Sequence, residues 1–260
     1  MTPLIDNRRR EKSTWGYIDE EYRWPIPEDK KKQKAMMERQ REIILARRTL
    51  KPILVDAFKE VGDYYMVRRY TLDSGGIRGM KTRMQAYPRA FPDLVLPESK
   101  KWGVNPYLVW ALMTVESSYN PDSVSVAEAL GLLQVIPRTG LKTAELLGEE
   151  DFGHYDLLDE DVAVRHGVFY FSRLVRKFNG QELFAIAGYN GGPHRVAEWV
   201  DMRGDMPMDE FVEEIPYDQA RNYTKKVLRF LSLFLRTYED IDTLYVGQKV
   251  DRDWKPMPNF

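Results

Sequence analysis

A single glutamate follows a nearly continuous apolar stretch in the middle of the chain. Residues 106–115 read "PYLVWALMTV", Glu116 comes next, and "SSYNP" follows it. Asn105 suits the N-cap of a helix and Pro106 its first position, so these residues predict a helix that ends near Glu116. Because the stretch is apolar on nearly every side, we expect this helix to be buried.

The place of Glu116 on this helix predicts a carboxyl group that is partly shielded from water. It shares one helix face with Val109, Leu112 and Met113. Burial and the negative end of the helix dipole both disfavour the carboxylate, so the pKa of Glu116 should be raised. An acid that keeps its proton near neutral pH can protonate the leaving oxygen of a glycosidic bond.

Spacing alone leaves a simpler interpretation of Glu116 open. The side chain could face solvent at the end of its helix, or accept a hydrogen bond from a backbone amide. Glycosidases of the common kind also need a second carboxylate, and the nearest acidic residues along the chain are Asp122 and Glu128.

The composition makes several other kinds of chemistry improbable. The chain has 39 Lys and Arg against 40 Asp and Glu, so its net charge of -1 gives no reason to expect nucleic acid as a partner. It has no cysteine, which excludes disulfides, thiolate metal sites and thiol nucleophiles. The histidines, His154, His166 and His194, are scattered, so we expect neither a metal nor a cofactor.

Helices are expected to dominate the fold. Residues 1–33 predict an extended basic arm, and the apolar periodicity predicts helices over 33–50 and 52–72, separated at Pro52 and paired as a hairpin. A proline-marked connector follows over 87–99. Further helices are predicted at about 138–147, 159–178, 181–188, 193–201, 208–214 and 217–239, whereas 123–136 could hold a short hairpin or a turn. No run approaches the roughly 18 apolar residues of a membrane span, and no apolar leader follows the basic residues near Met1.

Three segments in the second half of the chain carry recognisable patterns. The first, "VESSYNPDSVSVAEALGLLQVIP", contains E-S-x-x-N-P, then a serine and G-L-x-Q-x-x-P; the others are "AGYNGGPHRVAEW" and "FVEEIPYDQARNYTKKVL". In this order and spacing they resemble the soluble lytic transglycosylase family, whose catalytic domain is similar to goose-type lysozyme. The match runs from about residue 88 to 238. It departs from the family at Leu133, where methionine is usual, at "SVAEA" over 125–129 in place of S-P-x-G-A, and at Gln219 and Ala220 in place of Glu and Thr.

The resemblance implies a mainly α, lysozyme-like catalytic domain over residues 87–240, with at most a very small β element. Residues 34–86 then resemble the last helical hairpins of the superhelical segment that precedes this domain in long members, and 241–260 form a C-terminal tail. In the family one glutamate acts first as acid and then as base, and this role falls on Glu116. The N-acetyl group of the substrate is thought to stabilise the developing charge, and the 6-hydroxyl closes a 1,6-anhydro ring without water, metal or cofactor.

The resemblance also implies a set of substrate contacts. Tyr189 and Asn190 are expected to reach the cleft, the alternative being an ordinary Asn-Gly turn. Ser125 and Gln134 could bind acetamido or hydroxyl groups, or simply cap the turn between them. The remaining candidates are Glu213, as a subsite residue or a surface glutamate, and Tyr119 and Tyr217, which could line the groove.

The expected activity is cleavage of the β-1,4 bond between N-acetylmuramic acid and N-acetylglucosamine in peptidoglycan, with 1,6-anhydro ends as products. The expected partner is therefore the glycan strand, bound by a monomer in the periplasm or at the outer membrane. The alternatives are hydrolysis of the same bond, as in a true lysozyme, and a peptidoglycan-binding scaffold without turnover.

Overall fold

The computed structural model describes residues 30–73, 77, 79–203 and 206–242. The chain divides into two compact units, residues 1–50 and 51–260. Most of the predicted arm and nearly all of the predicted tail lie outside the described residues, so both stay predictions. The domain boundaries at residues 33, 86 and 240 also stay predictions, because the division into two compact units does not test them.

The predicted helix break at Pro52 is wrong. Helix α1 spans Lys30–Glu60 with Pro52 inside it, and α2 spans Tyr64–Leu72. Strong helix formers flank Pro52, whereas Gly62, at φ +76°, adopts the left-handed conformation that ends a helix at little cost to glycine. Asp63 then caps α2 by accepting a hydrogen bond from Met66 N at 2.9 Å.

A helical hairpin does form, with its joint at 61–63 instead of Pro52. Lys51 Nζ donates to Asp73 O at 2.6 Å, near the open end of the hairpin. The rings of Phe58 and Tyr70, the latter in the last turn of α2, stack with their centres 5.6 Å apart. The predicted pairing of 33–50 with 52–72 is therefore wrong, because the two segments that pair, 51–60 and 64–72, both fall almost wholly within the second predicted helix.

The remaining helices are α3 (Gly79–Ala86), α4 (Pro92–Trp102), α5 (Pro106–Glu116), α6 (Pro137–Leu147), a 3-10 helix (His154–Leu158), α7 (Glu160–Lys177), α8 (Glu182–Gly191), α9 (Pro193–Arg203), α10 (Met208–Glu213) and α11 (Asp218–Tyr238). Helices α5 to α11 follow the predicted pattern closely, whereas α3, α4 and the 3-10 helix were not predicted as helices. The proline-marked connector is largely the helix α4. The described residues contain no strand; the loop 123–136 instead holds isolated antiparallel bridges from Val124 to Leu130 and from Leu130 to Val135.

Helix α5 lies at the centre of the larger core. Its side chains from Leu108 to Met113 are at most 1% exposed, as expected for a helix that is apolar all round. Trp110 Nε1 donates to Ala90 O at 2.7 Å, and Tyr238 Oη donates to Tyr87 O at 2.9 Å, so buried polar atoms tie the connector to α5 and α11. A second apolar cluster joins α8, α9, α10 and α11 around Phe184, Trp199 and Phe211.

No helix in the described part of the chain combines the length and the apolar character that a membrane crossing requires.

Candidate active site

Helix α5 places Glu116 at its last position. Asn105 caps the helix by accepting from Tyr107 N at 3.0 Å, and Pro106 occupies the first turn, as predicted. The helix ends after Glu116 because Ser118 and Tyr119 turn into the left-handed region, at φ +54° and +71°. The glutamate therefore ends a rigid, buried helix and precedes a sharp turn.

The structure supports the expected shift of the Glu116 acid. Burial raises the pKa of Glu116 to about 7, and a hydrogen bond from Tyr223 opposes this rise. Tyr223 Oη donates to Glu116 Oε1 at 2.5 Å. Asp122 and Glu128, the nearest acidic residues along the chain, are exposed, and neither affects the pKa of Glu116. Glu116 is thus an isolated acid that can exist protonated or ionised near neutral pH.

Tyr223 is the site residue that the sequence analysis missed. It lies in the third matching segment, and its place on the apolar face of α11 with Ala220 and Val227 indicates a packing residue. The phenol is only 6% exposed, and a buried hydroxyl requires a hydrogen-bond partner. A tyrosine on an apolar helix face therefore indicated, from the sequence, that a polar partner would lie nearby. The identity of the partner depends on how α5 and α11 pack, which no local pattern contains.

Replacing Tyr223 with phenylalanine should raise the pKa of Glu116 further. The hydroxyl donates to the carboxylate and so lowers this pKa; its loss leaves the ionised form less stable. Carboxyl ¹³C resonances of labelled glutamate, followed from pH 4 to 10, would report the change, with the midpoint expected near 7 in the parent chain and higher in the variant. Tyr155→Phe, at a side chain that is 77% exposed, is the control. An unchanged or lower midpoint in Tyr223→Phe would contradict this account.

The turn at residues 131–134 is fastened beside the end of α5. Ser117 Oγ donates to Leu132 O at 2.9 Å, and Tyr189 Oη donates to Leu133 O at 2.7 Å. Gln134 Nε2 donates to Ser123 O at 2.9 Å and to Gly131 O at 3.1 Å. Side chains from the C-cap of α5, from α8 and from the turn itself therefore fix the backbone next to Glu116.

Backbone strain concentrates in the same loop. Of the seven non-glycine residues with positive φ in the described chain, four lie between residues 118 and 134, namely Ser118, Tyr119, Glu128 and Gln134. Such conformations cost free energy and tend to occur where a site requires a particular arrangement. Glu128, at φ +59°, stands where the transglycosylase pattern has a glycine.

Tyr189 and Asn190 lie in the last turn of α8 and not in an Asn-Gly turn. Both are half-buried. The ring centre of Tyr189 lies 5.2 Å from that of Tyr170, and burial together with the nearby Glu116 raises the pKa of Tyr189 well above its usual value. No side-chain hydrogen bond of Asn190 occurs within the described residues, so its amide is available to a ligand.

Ser125 and Gln134 serve the turn, which was the alternative considered for both. Ser125 Oγ accepts from Ala127 N at 3.2 Å and from Ala129 N at 3.0 Å. The two amide hydrogens of Gln134 go to backbone carbonyls, whereas its Oε1 accepts no hydrogen bond from any described residue. The hydroxyl hydrogen of Ser125 and the Oε1 atom of Gln134 are what each could offer a substrate.

The expectation that Tyr119 lines the groove is wrong. Its side chain is 0% exposed, and its hydroxyl lies 2.6 Å from Thr114 Oγ1. The left-handed backbone at φ +71° turns the ring into the core instead of toward solvent. Tyr119 is therefore a packing residue.

The structure does not bring Glu213 and Tyr217 into contact with Glu116. Glu213 ends α10, its side chain is 66% exposed, and one of its oxygens lies 2.5 Å from Lys225 Nζ. Tyr217 precedes α11, is 51% exposed and packs edge to face on Trp199 with ring centres 5.5 Å apart. Both lie on the surface, so any contact with a substrate would be peripheral to the acid.

His166 is a structural residue of the α6–α7 packing. It is 0% exposed; its Nδ1 lies 2.6 Å from Thr143 Oγ1 and its Nε2 lies 2.8 Å from Glu149 Oε2. Burial lowers its pKa despite the adjacent glutamate. In the part of the chain that is described, no three His, Asp or Glu side chains converge as a metal site would require. The expected absence of a cofactor stays a prediction.

Residues 93–212 match the model of the family described as the transglycosylase SLT domain. The soluble lytic murein transglycosylase of Salmonella typhimurium is 30% identical over 177 residues, which cover 66% of this chain and 26% of that protein. The membrane-bound lytic murein transglycosylase C of Actinobacillus pleuropneumoniae is 27% identical over 61% of this chain and 49% of its own length. The chain thus spans about a quarter of the first relative and about half of the second.

Solved structures show the same fold. The lytic transglycosylase Slt of Pseudomonas aeruginosa, determined as an inactive mutant, matches with a TM-score of 0.64 and 24% identity over 80% of this chain and 33% of its own. The 70 kDa soluble lytic transglycosylase, determined in complex with bulgecin A, matches with a TM-score of 0.69 and 24% identity over 78% of this chain and 33% of its own. The mainly helical, lysozyme-like fold predicted from the sequence is confirmed, and residues 93–212 belong to the transglycosylase SLT domain family.

Proposed function

We propose that this chain is a lytic transglycosylase, which cleaves the bond between N-acetylmuramic acid and N-acetylglucosamine in peptidoglycan without consuming water. The observation that carries the proposal is the isolated Glu116 acid, with a pKa raised to about 7 by burial and with Tyr223 as its hydrogen-bond donor. A carboxyl group near this pKa can give up a proton and take one back at neutral pH. The relatives are named as lytic murein transglycosylases, and murein is another word for peptidoglycan.

The first step is protonation of the leaving oxygen by Glu116. The bond from the muramic acid C1 to that oxygen breaks, and the N-acetyl group of the same sugar stabilises the positive charge at C1. The second carboxylate of other glycosidases is then not needed. Tyr223, which donates to the ionised carboxylate, stabilises Glu116 after it has lost its proton.

The second step returns the proton. The Glu116 carboxylate removes the proton of the 6-hydroxyl, and that oxygen bonds to C1 to close the 1,6-anhydro ring. No water is consumed, so the products together have the mass of the substrate. The substrate contacts that we favour near the acid are the amide of Asn190 and the Oε1 atom of Gln134. Tyr189 and Ser125 would support them through their hydrogen bonds to the backbone of the loop. Glu213 and Tyr217 would act only as peripheral contacts.

Mass spectrometry of digested sacculi tests the proposal directly. A transglycosylase releases muropeptides with anhydro ends, each lighter by one water than the reducing-end product of a hydrolase. Reducing ends alone would overturn the transglycosylase proposal and favour the lysozyme-type alternative. Retention on sacculi without any release would favour the non-catalytic scaffold.

The location follows from the substrate. Because peptidoglycan lies outside the cytoplasmic membrane, we propose that the chain acts there, in the periplasm or at the outer membrane, on glycan strands and as a monomer. Fractionation of cells that carry the tagged full-length protein would test the location, and a cytoplasmic signal alone would contradict it.

A further inference from the structure

An exposed arginine, a half-exposed tyrosine and a buried tryptophan form a cluster where α9 meets the start of α11. The guanidinium carbon of Arg195, in the first turn of α9, lies 5.2 Å from the ring centre of Tyr217. Trp199 meets the same ring edge to face at 5.5 Å. Arg195 is exposed and Tyr217 is 51% exposed, whereas Trp199 is 4% exposed. These residues are called the Arg195 cluster below.

The buried side of the Arg195 cluster connects it with the end of α8. A Cβ atom placed on Gly191 would lie 3.2 Å from Trp199 Cη2 and 3.3 Å from Ala220 Cβ. Helices α8, α9 and α11 therefore meet at Gly191. This glycine directly follows Asn190, one of the proposed substrate contacts.

Helix α11 connects the cluster with the acid. Tyr217 stands at its N-cap and Tyr223 lies six residues further on, which corresponds to about 9 Å along a helix axis. Tyr223 donates to Glu116. The cluster is thus close enough to the acid for one bound segment of substrate to reach both.

The guanidinium of Arg195 has no acidic partner among the described residues. Its one hydrogen bond there is long, from Nη1 to Gly191 O at 3.4 Å. Asp218, which follows Tyr217, is paired with Arg221, and Glu198, three residues beyond Arg195 on α9, forms no ion pair with it. A guanidinium that rests on an aromatic ring keeps its N–H groups free to bind a carboxylate with two parallel hydrogen bonds.

We propose that Arg195, held in place by Tyr217 and Trp199, binds a carboxylate of the peptide stems that peptidoglycan strands carry. The proposal rests on the proposed function, because a strand bound at Glu116 would bring its stems to this surface. Sugar hydroxyls have no requirement for a guanidinium, whereas the peptide stems end in carboxylates. Arg195 would then make the enzyme prefer strands with peptide stems over bare glycan.

The test compares Arg195→Gln with the parent chain on two substrates, glycan strands with their stems and strands stripped of stems by an amidase, with the lactyl carboxylates that the amidase exposes then converted to uncharged amides. Loss of a charge-assisted hydrogen bond at an exposed site should lower kcat/KM about tenfold on the stem-bearing strands, mainly through KM. Activity on the stripped strands should not change. A fall of equal size on both substrates, or on neither, would overturn the proposal.

Two further variants separate the role of Arg195 from general effects of charge or folding. Arg229→Gln removes an exposed arginine from α11 and should preserve the preference for stem-bearing strands. Tyr217→Phe keeps the ring under the guanidinium and should also preserve the preference for stem-bearing strands. Tyr217→Leu removes the ring and should reduce that preference about as much as Arg195→Gln. Equal behaviour of the phenylalanine and leucine variants would count against the ring as the support of Arg195.

A binding measurement separates failure of this proposal from failure of the proposed function. In chains that carry Glu116→Gln, co-sedimentation with each type of strand gives a Kd that does not depend on turnover. Adding Arg195→Gln should weaken binding to stem-bearing strands about tenfold and leave binding to stripped strands unchanged. If the parent chain formed no anhydro product but showed this difference in Kd, the transglycosylase proposal would fail and the stem site would stand.

Discussion

Glu116→Gln should lower the release of anhydro-muropeptides by about 10²- to 10⁴-fold, the range that a positioned general acid contributes. Glutamine keeps the shape of the side chain and can still accept the hydrogen bond from Tyr223, but it can neither give nor take a proton. Initial rates on purified sacculi, with products identified by mass, would measure the loss.

The matched control is Glu210→Gln, at an exposed glutamate of α10. It removes the same charge from the surface and should leave the rate within a factor of two or so, because surface substitutions away from special features have small effects. If Glu116→Gln kept the rate of the parent chain, Glu116 could not be the acid.

The same variant should be more stable than the parent chain at alkaline pH. The pKa of Glu116 is raised from 4.5 to about 7 in the folded state. A raised folded-state pKa means that the stability from the protonated acid is present below 4.5 and is lost as the pH rises through about 7. At pH 8 the buried carboxylate should cost on the order of 3 kcal/mol, and glutamine avoids that cost.

Urea unfolding at pH 5 and at pH 8 measures this effect. The free energy of unfolding of Glu116→Gln should exceed that of the parent chain at pH 8, and most of the difference should disappear at pH 5. Glu210→Gln should show no such dependence on pH. A Glu116→Gln chain that is less stable at pH 8 would mean that the ionised glutamate stabilises the fold, contrary to the burial argument. Lower activity with higher stability would be the behaviour of a site that keeps a buried acid for function.

The sequence predicted those parts of the fold that depend on local patterns. Helix α5 was predicted at both ends because its N-cap Asn105, its first-turn Pro106 and its apolar run act over a few residues. The predicted helix break at Pro52 was wrong because it weighed one residue and not the residues on either side. A proline costs one hydrogen bond, but the helix formers on either side continue the helix to the better stop at Gly62.

The buried environment of Glu116 was predicted, and the residues around it only in part. Burial of the acid followed from the face it shares with Leu112 and Met113, which are at most 1% exposed. Its contact with Tyr223 joins residues 107 positions apart in the chain, so it depends on helix packing. Tyr119 was misplaced because its backbone turns into the left-handed region, which is rare for a tyrosine and is not encoded in a hydrophobic pattern.

The turn beside Glu116 leads to the other prediction with a large effect, Gly131→Ala. Gly131 adopts φ +73°, and a Cβ atom there would lie 1.9 Å from Leu157 O, in the backbone of the 3-10 helix. Neither the turn nor that helix can yield without moving main chain. We therefore expect a loss of at least about 3 kcal/mol in the free energy of unfolding, from overpacking added to the left-handed strain.

Gly148→Ala separates these two contributions. Gly148 has nearly the same backbone, at φ +76°, but nothing lies within 4 Å of the position of its Cβ. Its alanine variant should lose only the left-handed penalty of about 1 kcal/mol. Urea unfolding of both variants would measure the difference, and equal losses would show that the contact with Leu157 O is relieved at no cost.

Gly131→Ala should also impair catalysis in whatever fraction still folds. The carbonyls of Leu132 and Leu133 accept the hydrogen bonds of Ser117 and Tyr189, so a turn displaced from Leu157 moves the partners that hold the end of α5. Activity per folded molecule, with the folded fraction taken from the unfolding curve, should fall for Gly131→Ala and stay near the parent value for Gly148→Ala. An alanine at 131 that destabilised the chain but left this specific activity intact would mean that Glu116 is held by α5 and Tyr223 alone.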